Sequence, residues 1–185
     1  MLKAKGPLFK GTLKYIKEKY GENKIQEIKT KVPEEVKKFL QSTILDSAFY
    51  PASWLIFINE AIISPDDPEA EKIYKEIGKY SADSAYHGIY KFLFMVSSTK
   101  FMVGRASNVW KTYYSQGTLK MEGREGNSAQ VFIFNSGINH RSLCLRIEGF
   151  MERIIELTGG KNPKVNHLKC FSMGSDVEEW ILNWE

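Results

Sequence analysis

The hydrophobic period of the chain changes near residue 117: before it, apolar residues recur every three or four positions, and after it they alternate in strand-like pairs. Leu8, Leu13, Ile16 and Tyr20 form the first helical stripe, and Gly21 ends it, which predicts a helix over 8–20. A second helix is predicted over 24–30. Pro33 before Glu34 and Glu35 starts a third, running through Val36, Phe39 and Leu40, with proline in the first turn and acids near the positive end of the dipole. Tyr50-Pro51 repeats that device, and residues 51–63 are apolar almost all round, which predicts a helix buried on most sides. Asp67 is placed to cap the next helix, with Pro68 at its first position. Its stripe runs through Ile73, Tyr74, Ile77 and Tyr80 and continues, after a break near Ser81, through Tyr86, Ile89, Tyr90, Leu93 and Phe94. A last helix of this half is expected over 105–114.

Beyond Gly117, residues 118–122 and 129–134 read as two strands of a hairpin with its turn at Gly123–Asn127. A helix over 143–157 stops at Thr158-Gly159-Gly160, and strand-like segments at 164–173 and 178–184 follow. The expected fold is α+β: a mainly helical layer over 1–116, then an antiparallel sheet with one helix over 117–185, ordered strand-strand-helix-strand-strand. With 185 residues, 43% of them hydrophobic, the chain can bury one core, so 1–185 is read as a single domain.

Charge modifies this picture only slightly. Residues 1–38 hold eleven lysines and five glutamates, so that stretch carries +6 of a net +4. All of these cations are lysine and none sits in a base-reading arrangement, so a solvated face is preferred and nucleic acid is not an expected partner. The longest apolar runs, 54–58 and 92–96, fall well short of the roughly 20 residues a membrane span requires. Two cysteines and a start with no signal-peptide pattern place the chain in a reducing cytoplasm.

Candidate chemistry is sparse. His140, Cys144, His167 and Cys170 form His-x3-Cys and His-x2-Cys pairs, residue types that zinc prefers. On a regular strand, however, His167 and Cys170 point to opposite faces unless a bulge intervenes, so the residue types alone favour surface histidines and buried apolar thiols. His87 is read as a hydrogen-bonded core residue of its helix. Aromatic clusters around Phe49-Tyr50-Trp54, Tyr86–Phe94 and Trp110–Tyr114 suit either a core or a pocket. No phosphate-binding loop, Gly-x-Ser-x-Gly or Ser-His-Asp set is present, and Glu152 and Glu156 with Arg153 read as an ion-paired surface.

The block from Cys144 through Gly159-Gly160-Lys161, followed by Val165–Gly174 with His167 and Cys170 and by a terminal strand ending at Trp184, resembles the 4-vinyl reductase domain. That domain shares a superfamily with the haem nitric-oxide-binding sensors and the Golgi-transport tethering subunits. Tyr20-Gly21, Phe49-Tyr50-Pro51 and Val109–Tyr114 are similar to uncharacterised bacterial proteins of the same layout, numerous in myxobacteria. The resemblance implies helices over an antiparallel sheet enclosing a ligand cavity, and dimers are common among members. The pattern's cysteines match Cys144 and Cys170, while its third position is Glu178, a carboxylate that can still ligate zinc. Weak metal candidates are therefore Cys144, Cys170, His167 and Glu178. The haem sensors carry Tyr-x-Ser-x-Arg, which this chain lacks, so haem is not expected, whereas zinc stays open.

The expected function is non-enzymatic binding or sensing of a small lipophilic or aromatic molecule, through Tyr50, Trp54, Trp110 and Tyr114 with Cys170 at the pocket edge. With no output domain seen, a signal would pass through a homodimer or a separate partner. The alternatives are an interaction scaffold similar to the tethering subunits and, last, a zinc-dependent enzyme.

Overall fold

The computed structural model describes residues 1–88, 91–93 and 104–185. Its helices are α1 (Gly6–Tyr20), α2 (Glu22–Lys31), α3 (Glu34–Gln41), α4 (Ser53–Ile62), α5 (Ala70–His87), α6 (Ala106–Tyr113) and α7 (Arg141–Leu157). Its strands are β1 (Lys3–Lys5), β2 (Phe49–Pro51), β3 (Thr118–Arg124), β4 (Ser128–Phe134), β5 (Lys164–Lys169) and β6 (Val177–Asn183). The α+β layout with its strand-strand-helix-strand-strand ending is the observed one. Ile89, Tyr90 and Phe94 of the predicted stripe lie outside the described residues.

Four strands form one antiparallel sheet in the order β3-β4-β6-β5. Alternate β4 residues Ala129, Val131 and Ile133 are buried, as is Trp180 on the neighbouring β6, so one face of the sheet closes the core. α7 owes its start to His140, whose ring nitrogen accepts from the Ser142 backbone N–H, and its end to Thr158-Gly159, with φ +97° at Gly159.

Three sequence expectations need correction. Residues 51–63 do not begin as helix, because Phe49–Pro51 pairs with Lys3–Lys5 as a two-stranded sheet. Three-residue strands have no readable period, and only long-range pairing creates them. Pro68 lies in a turn rather than at the first position of α5, although Asp67 Oδ1 does accept from the Glu69 N–H at 2.9 Å. Finally, α5 runs through Ser81 unbroken, since the Ser81 hydroxyl is satisfied by donating to the Ile77 carbonyl at 3.0 Å.

α7 packs most extensively on α5, and two glycines set the distance between them. A Cβ on Gly78 would sit 2.1 Å from the Arg146 carbonyl oxygen, and one on Gly149 would sit 2.0 Å from that of Lys75. Both obstacles are backbone, so neither can be relieved by a side-chain rotation. Gly149→Ala is expected to cost about 3 kcal/mol or more in urea unfolding. A wild-type midpoint in that variant would show that the helices do not cross this closely.

Candidate functional site

Two features meet on α7. On one side, Cys144 joins His167, Cys170 and Glu178 in a cluster whose four ligand atoms all lie within 4.8 Å of one another. Cys144 Sγ lies 3.5 Å from Cys170 Sγ and 3.4 Å from Glu178 Oε1, and His167 Nε2 lies 2.6 Å from Glu178 Oε2. A tetrahedral zinc with ordinary bond lengths separates its donors by about 3.3 to 3.8 Å, so a modest spread of the His167–Glu178 pair would accommodate one. Both cysteines are free thiols and buried.

The objection that three-residue spacing splits His167 from Cys170 is removed by a bulge. His167 pairs with Trp180 while Lys169 pairs with the adjacent Glu179, so Leu168 is the extra residue and the parity of the strand shifts by one. Leu168 is thereby turned to solvent at 52% exposure. His140, the other histidine of the sequence pairs, stays outside the cluster, with Nε2 3.0 Å from Glu60 Oε1.

The surroundings prepare the ligands. Glu148, buried, sits 3.1 Å from His167 Nδ1 and also holds Arg141 at 3.0 Å and Lys75 at 2.9 Å. Burial works against its charge, but His167, Lys75 and Arg141 together hold its carboxyl down to about 2. A carboxylate on Nδ1 fixes the tautomer that leaves Nε2 free to bind a metal. Burial opposes the imidazolium of His167 as well, and the Glu148 and Glu178 carboxylates outweigh it, raising the ring to about 9. Arg141 Nη1 lies 2.7 Å from the same Nδ1, a contact that suits only an unprotonated nitrogen, so Glu148 and Arg141 cannot both bond Nδ1. The Cys144 thiol is pushed up by burial and then by Glu178 and Cys170, which keeps it protonated until a cation replaces the proton.

On the other side of α7 is a cavity of about 100 Å³ between α5, α6, α7 and the β3-β4-β6 face. Its wall is apolar, with Val109, Trp110, Tyr113, Leu119, Met121, Phe150 and Met151 prominent. Trp110 and Tyr114 stack at 4.2 Å, and Trp110 Nε1 donates to the Gln116 carbonyl at 3.1 Å. The polar exceptions include Arg146, 4% exposed, which donates to Asn59 Oδ1 (2.8 Å), Thr12 Oγ1 (2.7 Å), Ser81 Oγ (3.3 Å) and the Leu8 carbonyl (3.2 Å). Burial lowers its pKa to about 10, so it remains a cation at neutral pH.

Of the aromatic residues expected at a pocket, Trp110 and Tyr114 line this cavity. Tyr50 and Trp54 lie elsewhere, packed with Phe9 and Phe39, and their polar tips engage the Leu45 N–H and Glu35 respectively. Cys170 belongs to the four-ligand cluster, not to the cavity wall. His87 is an exposed residue at the end of α5 rather than a core histidine. Sequence reasoning passed over Arg146, Asn59 and Glu148. The available signal was a polar residue inside an apolar run, as Arg146 in Leu143-Cys144-Leu145-Arg146-Ile147 and Asn59 in α4.

No protein-family model matches this chain, and no curated protein does. Solved structures do match over 98% of it. It is similar to the Fe(II) unliganded H-NOX protein from K. algicida (TM-score 0.74, 16% identity, 96% of that chain). It is also similar to an H-NOX protein from S. oneidensis in the Fe(II)NO state (0.76, 14%, 99%), and to an oxygen-binding H-NOX domain related to soluble guanylate cyclases (0.69, 9%, 95%). The fold is therefore that of the haem nitric-oxide-binding domains.

This corrects the expectation about haem: a chain with the H-NOX fold cannot have haem set aside because Tyr-x-Ser-x-Arg is missing. Residue by residue, the described cavity wall does not fit the group in this conformation. It offers tyrosine but no imidazole or thiol as an axial ligand, and its volume is below the roughly 150 Å³ of a cavity that holds one benzene. Among the described residues, no helix is long and apolar enough to cross a membrane.

Burial pushes Tyr114 up to about 12, with the Arg146 charge partly opposing it. Between its ordinary value of 10.0 and 12, folded Tyr114 keeps a proton that the unfolded chain has released, so stability falls as pH rises through that window. Tyr114→Phe is expected to flatten this alkaline limb in denaturant titrations from pH 9 to about 12. An unchanged limb would place the Tyr114 hydroxyl in water.

Proposed function

We propose that this chain is a small-molecule-binding sensor domain, with its ligand in the cavity between α6, α7 and the sheet and a structural zinc ion beside it. The cavity itself is the observation that carries the reading. A core filled by its own side chains would suit a scaffold, whereas this one leaves an apolar space edged by aromatic rings and one polar cluster. The likeness to H-NOX structures solved with nitric oxide and with oxygen supports small-molecule sensing as the use of such a space.

The cluster supports a structural rather than a catalytic metal. Four protein ligands close a zinc coordination sphere, whereas a catalytic zinc keeps a position for water or substrate. Cys144 is 0% exposed, Cys170 3% and Glu178 0%, so three of the four ligands are withdrawn from solvent. Zinc would tie α7 to the β5–β6 edge and so hold in place the helix that forms one wall of the cavity. This argues against the zinc-enzyme alternative. An exchange of partners on ligand binding, whether by homodimerisation or with a separate protein, is the accompanying reading of how the signal leaves.

Metal analysis of protein purified without chelator is expected to give about one zinc per chain. The Cys144→Ser/Cys170→Ser double variant should lose it and melt roughly 5–10 °C lower. Protein that is metal-free, or that carries a Cys144–Cys170 disulfide, would overturn the zinc centre. Native mass spectrometry and visible absorption of the same sample test the cavity. A bound or titratable small molecule supports the sensor, a Soret band would assign the space to haem, and a cavity that takes nothing would leave the scaffold reading.

A further inference from the structure

Among the described residues, the wall of the cavity carries one charged side chain, Arg146, and no carboxylate pairs with it. All its hydrogen-bond acceptors are neutral: an amide oxygen, two hydroxyls and a backbone carbonyl. The residues outside the description, 89, 90 and 94–103, include no Asp or Glu, so the missing counter-ion is not hidden among them. A desolvated guanidinium is costly unless an anion accompanies it. Only its two terminal nitrogens are engaged, and among the described residues its Nε–H has no acceptor.

Tyr114 shares the wall with Arg146. Both groups face the same cavity, and the Arg146 charge partly opposes the rise that burial imposes on the Tyr114 phenol. A guanidinium N–H and a phenol O–H on one wall suit the two oxygens of one carboxylate. Apart from Ser81 and Tyr113 the rest of the described wall is apolar, with Trp110 stacked on Tyr114 and with Phe150 and Met151 from α7.

We propose that the ligand of this cavity is a small monocarboxylate with a single ring or a short chain, its carboxylate bound by Arg146 and Tyr114 and its apolar body set against Trp110, Phe150 and Met151. The proposal rests on the sensor reading above and narrows it to an anion. Size sets the scale: about 100 Å³ is below the roughly 150 Å³ that holds one benzene ring, so a short-chain acid fits as the wall stands and a single-ring acid requires its open side to widen. Arg146 is on the same helix as Cys144 and two residues away, which directs the anion site and the metal cluster to different sides of α7.

The test compares acids with their uncharged isosteres on the full chain at pH 7.5: benzoate against benzamide, and hexanoate against hexanamide, by calorimetry and by thermal shift. Each carboxylate is expected to bind at least about 10-fold more tightly than its amide, since a charge-assisted hydrogen bond is worth that factor or more. In Arg146→Gln the acid–amide gap should collapse while amide binding stays, and Tyr114→Phe should narrow it. If Arg146→Gln does not fold, the wild-type comparison decides alone. Amides binding as tightly as acids would overturn the anion site and leave the cavity reading standing. Failure of every acid and amide to bind would overturn both.

Discussion

The close crossing of α5 and α7 is the constraint from which the other features follow. Gly78 and Gly149 each face the backbone of the opposite helix, so the two axes approach as nearly as the chain allows. At this separation the side chains of α7 between Cys144 and Glu148 cannot spread along the interface and are directed around it. Cys144 goes towards β5 and β6, Arg146 towards α1, α4 and the cavity, and Glu148 towards Lys75 and His167. Gly11 repeats the device on α1, where a Cβ would lie 2.6 Å from the Ser81 Cα. Three helices thus share one close-packed centre, and its polar members, Thr12, Asn59, Ser81 and Arg146, are all buried.

Burying that many polar groups is tolerable only because each acceptor has a donor. The Leu8 carbonyl accepts from Thr12 Oγ1 at 2.8 Å as well as from Arg146, and Asn59 in turn donates to Ser142 Oγ at 3.2 Å. The network satisfies hydrogen bonds but not charge. Hydrogen-bond satisfaction explains why Arg146 can sit in the core, while its charge has no carboxylate beside it among the described residues.

Most of the elements were legible in the sequence because their periods are long and their ends are marked. Leu8–Tyr20 before Gly21, the hairpin around Gly123–Asn127, and the helix stopping at Thr158-Gly159 all fall where glycine and periodicity place them. The β1–β2 pair was not legible, since Lys3-Ala4-Lys5 shows no strand pattern and gains its partner 44 residues or more along the chain. The metal cluster was half legible. Residue types and the resemblance named its four members, but strand alternation argued against two of them, and a bulge at Leu168 that no local pattern announces reverses that argument. Arg146 left a signal in the sequence, a cation within an apolar run, but not its meaning. Its significance depends on what surrounds it in space, and one arginine on a mostly apolar helix looks in sequence like any snorkelling side chain.

The two sides of the cavity differ in how firmly they are held. α7 is fixed against α5 by the glycine crossing and through Cys144 to the cluster, so it is the stationary wall. α6 has eight residues, and its C-terminal end is tied to the N-terminal strand by the Ala4–Tyr114 bridge and by the Ser115 N–H donating to the Lys3 carbonyl at 3.1 Å. Lys3 and Ala4 belong to β1, whose only strand partner among the described elements is β2. The wall that carries Trp110 and Tyr114 is thus linked through Tyr114 and Ser115 to the β1–β2 ribbon. The four-stranded sheet behind α7 is paired strand to strand in continuous register apart from the bulge at Leu168, and offers no comparably small element to move.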